Sequence, residues 1–144
     1  MAKVTFKQPK QSKQKDQKIK FEEKSPESYR TRISFNFSYL ISDKKYNHEK
    51  MEFKVHKKFL ERICALSTED FVVIKSWKKE EGFEAFKIDG LNPPSSFINS
   101  GRDKKAGEEY WVFRLSKLGR VICKRIETTF YIIAIDTKFD LYEH

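Results

Sequence analysis

Three apolar runs near the carboxyl end decide the fold: YWVFRL at residues 110–115, GRVICKRI at 119–126 and FYIIAI at 130–135. Short polar turns, Ser116 to Gly119 and Glu127 to Thr129, separate them. Because short connections favour antiparallel neighbours, the stretch predicts a three-stranded antiparallel meander. The third run is apolar on both of its faces, which predicts a strand that is covered on both sides.

Basic residues alternate with apolar residues in the first two of these runs. Arg114 lies on the strand face opposite to Phe113. Its companions on that face are either Arg120 and Lys124 or Arg125, because a slip of one residue in the register exchanges the two sets. The alternation therefore predicts one core face and a second face on which cations gather.

The charge of the chain indicates what kind of partner it has, and its length indicates how many domains it forms. Its 144 residues carry a formal charge of +9, so an anionic partner is the first expectation, although a basic composition also serves solubility alone. The length predicts a single domain with a core of moderate size. No apolar run approaches the ~20 residues that span a bilayer, and no secretory leader is recognisable. We therefore expect a cytoplasmic protein with no membrane partner.

Residues 1–28 differ in composition from the rest of the chain. They contain eight lysines among Gln and few apolar residues. Such a segment cannot bury enough surface to offset its ordering entropy, which predicts a disordered basic tail followed by one α+β domain over residues 29–144. The tail serves either to contact phosphates or only to solubilise the chain.

The first ordered element expected is a strand over residues 32–41. Ile33, Phe35, Phe37, Tyr39 and Ile41 alternate with polar residues and are predicted to face the core. A short second strand is expected near residues 51–55, and a helix over about 57–66 follows from its apolar spacing.

A second helix is predicted to begin after Ser67, which is a favourable N-cap residue, and to run to about Lys79, with Gly82 ending it. Residues 83–88 predict another strand. The long polar connection at 89–107 is either mobile or functional. The resulting fold class is α+β, with two helices packed on a mainly antiparallel sheet that ends in the three-stranded meander.

Several kinds of chemistry have no motif in this chain. It contains no Gly-rich phosphate loop, no HExxH and no GxSxG. The three histidines are not spaced as metal ligands, and the acidic residues do not pair as an acid/base dyad. We expect neither a metal site nor a cofactor.

The carboxyl-terminal third resembles the closing half of RelE/ParE-type toxins. The resemblance is carried by FRL at 113–115, GRVI at 119–122, FYIIAI at 130–135, Lys138 and YEH at 142–144. That family ends in three antiparallel strands preceded by a two-helix hairpin. Its ribonuclease members cut messenger RNA on the ribosome without a metal, whereas its gyrase-directed branch does not cleave RNA.

The resemblance implies roles for four residues. Arg114 and Arg120 match the strand arginines that bind the scissile phosphate, and Tyr142 and His144 match the terminal pair that transfers protons. Attack by a 2′-hydroxyl needs a proton acceptor, a proton donor and cations where charge builds, and an imidazole can take either proton role near neutral pH.

The expected function is therefore that of a RelE-like toxin that binds RNA or the ribosome, cleaves RNA, and is held by an acidic antitoxin-like protein. Auxiliary nucleic-acid contacts are expected from five basic residues: Lys124, Arg125, Arg102, Lys104 and Lys105.

Two other interpretations stay open. One is a non-catalytic binding module, phage- or plasmid-borne, that engages a nucleic acid or an acidic protein. The other is an accessory structural protein with no anionic target. In both, Arg114 and Arg120 are solvated cross-strand residues, and Tyr142 and His144 belong to a frayed terminus.

Overall fold

A computed structural model describes residues 31–143 of the chain. It confirms the α+β class, with four helices and a five-stranded mixed sheet in that part of the chain. The elements in chain order are β1 (Ser34–Asn36), α1 (Phe53–Ser67), α2 (Phe71–Ile74), β2 (Glu84–Phe86), α3 (Ser95–Asn99), α4 (Arg102–Ala106), β3 (Tyr110–Arg114), β4 (Arg120–Ile126) and β5 (Thr129–Asp136).

The sheet has the strand order β1-β5-β4-β3-β2. β3, β4 and β5 pair antiparallel in sequence order, β2 is antiparallel to β3, and β1 runs parallel to β5. Arg114 lies opposite Arg120 across the β3–β4 pair. Directly opposed residues share a face of the sheet, so the register places Arg114 with Arg120 and Lys124 and leaves Arg125 on the other face.

One face of the sheet carries the larger apolar core. Phe71 and Ile74 of α2 and Val55 and Leu66 of α1 pack against it. Phe130 lies at its centre, with ring contacts to Phe35, Phe71, Phe83 and Trp111. These helices cover the face because their apolar residues recur at helical spacing.

The opposite face is also covered. A smaller cluster there joins Tyr110, Val112, Ile122 and Ala134 to Ile88. Residues 130 and 132–136 of β5 are all buried. The prediction that the third run is covered on both sides is confirmed.

The strand predicted over residues 32–41 is much shorter, because the chain leaves the sheet after Asn36. The Asn36 side chain accepts a hydrogen bond from the backbone N–H of Ser38 at 2.8 Å, and such local bonds compete with a strand ladder. Phe37 is 49% exposed. Tyr39 and Ile41 pack on the second face of the sheet and not in the main core.

The predicted strand at 51–55 and the predicted cap at Ser67 are wrong. Phe53 begins α1, and Ser67 is its last residue, with its hydroxyl donating back to the carbonyl of Ile63 at 2.7 Å. The second predicted helix is reduced to the four residues of α2, where the β-branched pair Val72 and Val73 disfavours helix.

The connection at 89–107 is a packed segment. It contains α3 and α4, and Phe97 within it is fully buried. The Tyr110 hydroxyl donates to the carbonyl of Leu91 at 2.8 Å and ties the segment to β3.

Two further expectations concern the amino-terminal tail and membrane-spanning helices. The predicted tail at 1–28 lies outside the described residues. Of the helices described between residues 31 and 143, none has the length and apolarity needed to cross a bilayer.

We predict that Phe130→Ala lowers the free energy of unfolding by about 3–5 kcal/mol, because it removes a fully buried ring and leaves a cavity. Phe53→Ala is the control, since that ring is 82% exposed and its loss should leave stability unchanged. Urea unfolding followed by tryptophan fluorescence measures both. Equal losses in the two variants would contradict the described core.

Candidate functional site

Three of the four residues expected to act on RNA surround one small hollow. Arg114, Arg120 and Tyr142 line a cavity of about 140 Å³ together with Glu84, and Val112, Ser116 and Phe139 complete its walls. We call it the arginine hollow. The fourth residue, His144, lies outside the described residues.

Arg120 is almost fully buried at the base of the arginine hollow, where it pairs with Asp136. Its Nε and Nη2 lie 3.2 and 3.1 Å from Oδ2 of Asp136, and Arg120 and Asp136 are 2% and 0% exposed. The Asp136 carboxylate also accepts hydrogen bonds from the backbone N–H groups of Lys138, Asp140 and Leu141 at 3.1, 3.4 and 3.0 Å. The pair therefore holds the segment that follows β5 in a tight turn.

Tyr142 closes that turn over the guanidinium group. Arg120 Nη2 donates to the carbonyl of Tyr142 at 3.0 Å, and the Arg120 Cζ lies 3.6 Å from the centre of the Tyr142 ring. This is a close cation–π contact. Burial raises the pKa of the Tyr142 phenol, so at neutral pH the hydroxyl keeps its proton and is a poor base.

Arg114 is less buried and faces a carboxylate. Its Nη2 lies 3.3 Å from Oε1 of Glu84, with both side chains partly exposed. Two guanidinium groups thus meet two carboxylates, those of Glu84 and Asp136, and the arginine hollow is close to neutral. A phosphate would have to displace a carboxylate in order to bind there.

Lys124 lies on the same face as Arg120 but in a different cavity, of about 500 Å³, which Lys104 also lines. Its Nζ donates to the carbonyls of Gly107 and Glu109 at 2.8 and 3.3 Å and lies 4.0 Å from the Tyr110 ring centre. Burial lowers its pKa. These contacts hold the 89–107 segment on the sheet.

The other predicted nucleic-acid contacts are dispersed. The Arg102 guanidinium lies 5.4 and 5.7 Å from the rings of Tyr39 and Tyr131. Arg125 is on the main-core face, 4.6 Å from the Trp111 ring. Lys105 is exposed on α4. The structure does not bring these cations together.

A second basic site, which the sequence did not predict, is more open. A groove of about 670 Å³ lies between the 44–55 segment, the β3–β4 turn and the chain just after β5. We call it the lysine groove. Its basic lining residues are Lys44, Lys45, Lys50, Lys54, Lys117 and Lys138, and the one carboxylate in its lining is Glu52.

The floor of the lysine groove is fixed by buried groups. Val55 and Asn47 are each 5% exposed. The Asn47 amide donates to the carbonyl of Ile41 at 3.2 Å, and its Oδ1 accepts the N–H of Glu49 at 2.9 Å. The Ile135 N–H donates to the carbonyl of Tyr46 at 2.8 Å, which joins this segment to β5. The groove is therefore preformed.

Half of the groove lysines are left without a carboxylate. The Nζ atoms of three lysines lie near carboxylate oxygens: that of Lys44 is 3.8 Å from Oε1 of Glu49, that of Lys45 is 2.9 Å from Oδ2 of Asp140, and that of Lys54 is 3.9 Å from Oε1 of Glu52. Lys50, Lys117 and Lys138 have no ion-pair partner among residues 31–143. An excess of cations in a concave site attracts anions.

The density of lysines between Lys44 and Lys54 was the signal in the sequence for part of this groove. Lys117 and Lys138 are separated from it by more than half the domain, and only the sheet brings them to it. Within residues 31–143, no three His, Cys, Asp or Glu side chains gather as a metal site would require.

Comparison with known proteins adds no assignment to this geometry. The chain matches no protein-family model, no curated protein and no solved structure. The likeness to RelE/ParE-type toxins thus rests on the carboxyl-terminal residues alone, and the function has to be argued from the contacts of the side chains.

We predict that Asp136→Asn lowers the free energy of unfolding by about 3–5 kcal/mol, because it leaves the Arg120 charge buried without a counter-charge. Glu108→Gln is the matched control: it removes one carboxylate from an exposed pair with Lys87 and should cause no measurable change. Chemical unfolding measures both. A stable Asp136→Asn variant would show that the pair does not hold the terminal turn.

Proposed function

We propose that this protein is a nucleic-acid-binding protein that holds the phosphate backbone of RNA in the lysine groove and does not cleave it. The observation that carries the proposal is the set of three lysines in that groove with no ion-pair partner among the described residues. RNA is the expected nucleic acid because of the resemblance to RelE/ParE-type toxins.

The physical argument is one of unused charge. A lysine ammonium that already faces a carboxylate gains little from a phosphate, whereas an unpaired one neutralises the phosphate and releases its counterions. The groove concentrates such groups around a fixed floor, so little ordering is needed when a strand binds. A formal charge of +9 on the whole chain adds long-range attraction.

A second candidate function is metal-independent RNA cleavage in the arginine hollow. The observation that favours it is the convergence of Arg114, Arg120 and Tyr142 on one cavity. Against it stand the near neutrality of that cavity, the engagement of Arg120 by Asp136, and the raised pKa of Tyr142. We therefore rank cleavage below binding.

The finer RelE-like interpretation belongs to the same proposal. It comprises a hairpin-and-meander architecture of that type, an RNA or ribosome partner in the cytoplasm, and an acidic antitoxin-like protein. Charge complementarity supports such a protein partner, because an acidic segment laid in the lysine groove would compete directly with RNA.

One prediction from the proposed function concerns the salt dependence of RNA binding. We expect RNA affinity to fall as salt rises from about 50 to 200 mM, with a slope near −0.7 per phosphate contact. Replacing Lys50, Lys117 and Lys138 together by Ala should reduce that slope by about 2 and weaken binding at least tenfold. Fluorescence anisotropy with a labelled strand measures both quantities.

The matched control changes the same charge elsewhere. Lys75, Lys78 and Lys79 are exposed and are not among the residues that line the groove. Their triple Ala variant should bind nearly as the wild type does. Equal weakening by both triple variants would place the contact outside the groove, and RNA binding that ignores salt would rule out a phosphate-led contact.

Another prediction separates RNA binding from RNA cleavage. RNA incubated with the wild-type protein and excess chelator should be recovered intact on a denaturing gel, because the arginine hollow has no unpaired cation and no effective base. Fragments formed by the wild type but not by a Tyr142→Phe variant would instead assign the function to the arginine hollow. A separate His144→Ala variant tests the fourth expected residue.

A further inference from the structure

We infer that the lysine groove accepts a single strand and not a duplex, and that one unpaired base of this strand stacks on Phe53 at the groove rim. This inference rests on the proposed binding of a nucleic acid in the groove and specifies the form of that ligand.

The size of the groove argues for a single strand. About 670 Å³ is the size of a pocket for a small ligand, and walls on several sides enclose it. An RNA duplex is a convex A-form rod, and it presents its phosphates on an outer surface that a recess of this size cannot follow. One or two nucleotides of a flexible strand can enter it.

Phe53 is exposed where a base would emerge. Its side chain is 82% exposed, the largest value among the exposed large apolar residues of the described chain. Its neighbours in sequence, Glu52 and Lys54, both line the groove, and consecutive Cα atoms are ~3.8 Å apart. The Phe53 backbone therefore lies at the rim, and its exposed side chain is outside the groove lining.

Phe53 also differs from the other exposed phenylalanines. Phe37 packs edge-on against Phe59 at 6.1 Å between ring centres, and Phe139 lies 5.5 Å from the Arg120 Cζ. Phe53 has no ring or cation contact of this kind among the described residues. A free aromatic face beside cations is the arrangement that binds single strands, in which the backbone follows the charges and the bases stack.

The charges around Phe53 favour a nucleic-acid strand over a protein surface as the ligand at the groove rim. Lys50 precedes α1, and Lys54 and Lys57 lie within its first five residues, so an apolar partner helix would have to desolvate several ammonium groups. A polyanionic strand neutralises them.

The experiment compares Phe53→Ala with wild-type protein on four labelled probes. These are a single-stranded RNA of about 12 nucleotides, its duplex, an abasic phosphodiester strand of the same length, and vesicles rich in anionic lipid. Leu60→Ala is the control, since Leu60 is 61% exposed on the same helix but lies about two turns from Phe53 and does not line the groove. Circular dichroism and sedimentation check the fold and the association state.

We expect the wild type to prefer the single strand over the duplex, and Phe53→Ala to weaken binding of the single strand about tenfold. The same substitution should leave binding to the abasic strand unchanged, and Leu60→Ala should leave all four probes unchanged. Together these results separate stacking from charge.

Several outcomes would overturn the inference. If the wild type binds single strand and duplex equally and Phe53→Ala has no effect, base stacking is refuted while the lysine groove remains a phosphate site. Vesicle binding that depends on Phe53, with no RNA preference, would assign the rim to a membrane surface. Self-association lost in Phe53→Ala would assign it to a second copy. No binding to any nucleic acid refutes the proposed function as well.

Discussion

The buried ion pair between Arg120 and Asp136 fixes the carboxyl-terminal part of this molecule. Both charges are removed from water, so neither is tolerable without the other. Asp136 uses its remaining acceptor capacity on the backbone of the turn that follows β5, and Tyr142 covers the guanidinium. This turn places Lys138 in the lysine groove. In the same turn, Asp140 accepts a hydrogen bond from the Tyr46 hydroxyl at 3.0 Å. The pair thus shapes the arginine hollow and places one lysine of the lysine groove.

Coverage of both sheet faces explains why so many strand cations are structural. Lys124 donates to the carbonyls of Gly107 and Glu109, and Arg125 lies against the Trp111 ring. Long basic side chains bury their stems and direct their charged ends to polar groups or aromatic rings. The strand cations make these structural contacts, whereas Lys50, Lys117 and Lys138, which lie outside the helices and strands, have no ion-pair partner among residues 31–143 and keep their charge available to a ligand.

Apolar runs of strand length, alternating in the first two and continuous in the third, were sufficient to predict the strands at 110–114, 120–126 and 129–136, since such patterns depend only on near neighbours. The same reasoning failed at residues 32–41, where the Asn36 side chain ends the ladder, and at 51–55, where Met51, Phe53 and Val55 fit the start of a helix as well as a strand. Such short patterns are ambiguous until packing selects one.

For the site, the sequence determined that the chain is strongly basic and that Arg114 and Arg120 occupy neighbouring strands. Only the tertiary structure decided which cations are free. The register brought Arg120 to Asp136 and Arg114 to Glu84, which neutralised the arginines, and the sheet brought Lys117 and Lys138 to Lys50. Whether a charge is paired depends on partners far away in the chain, and a local pattern contains no information about them.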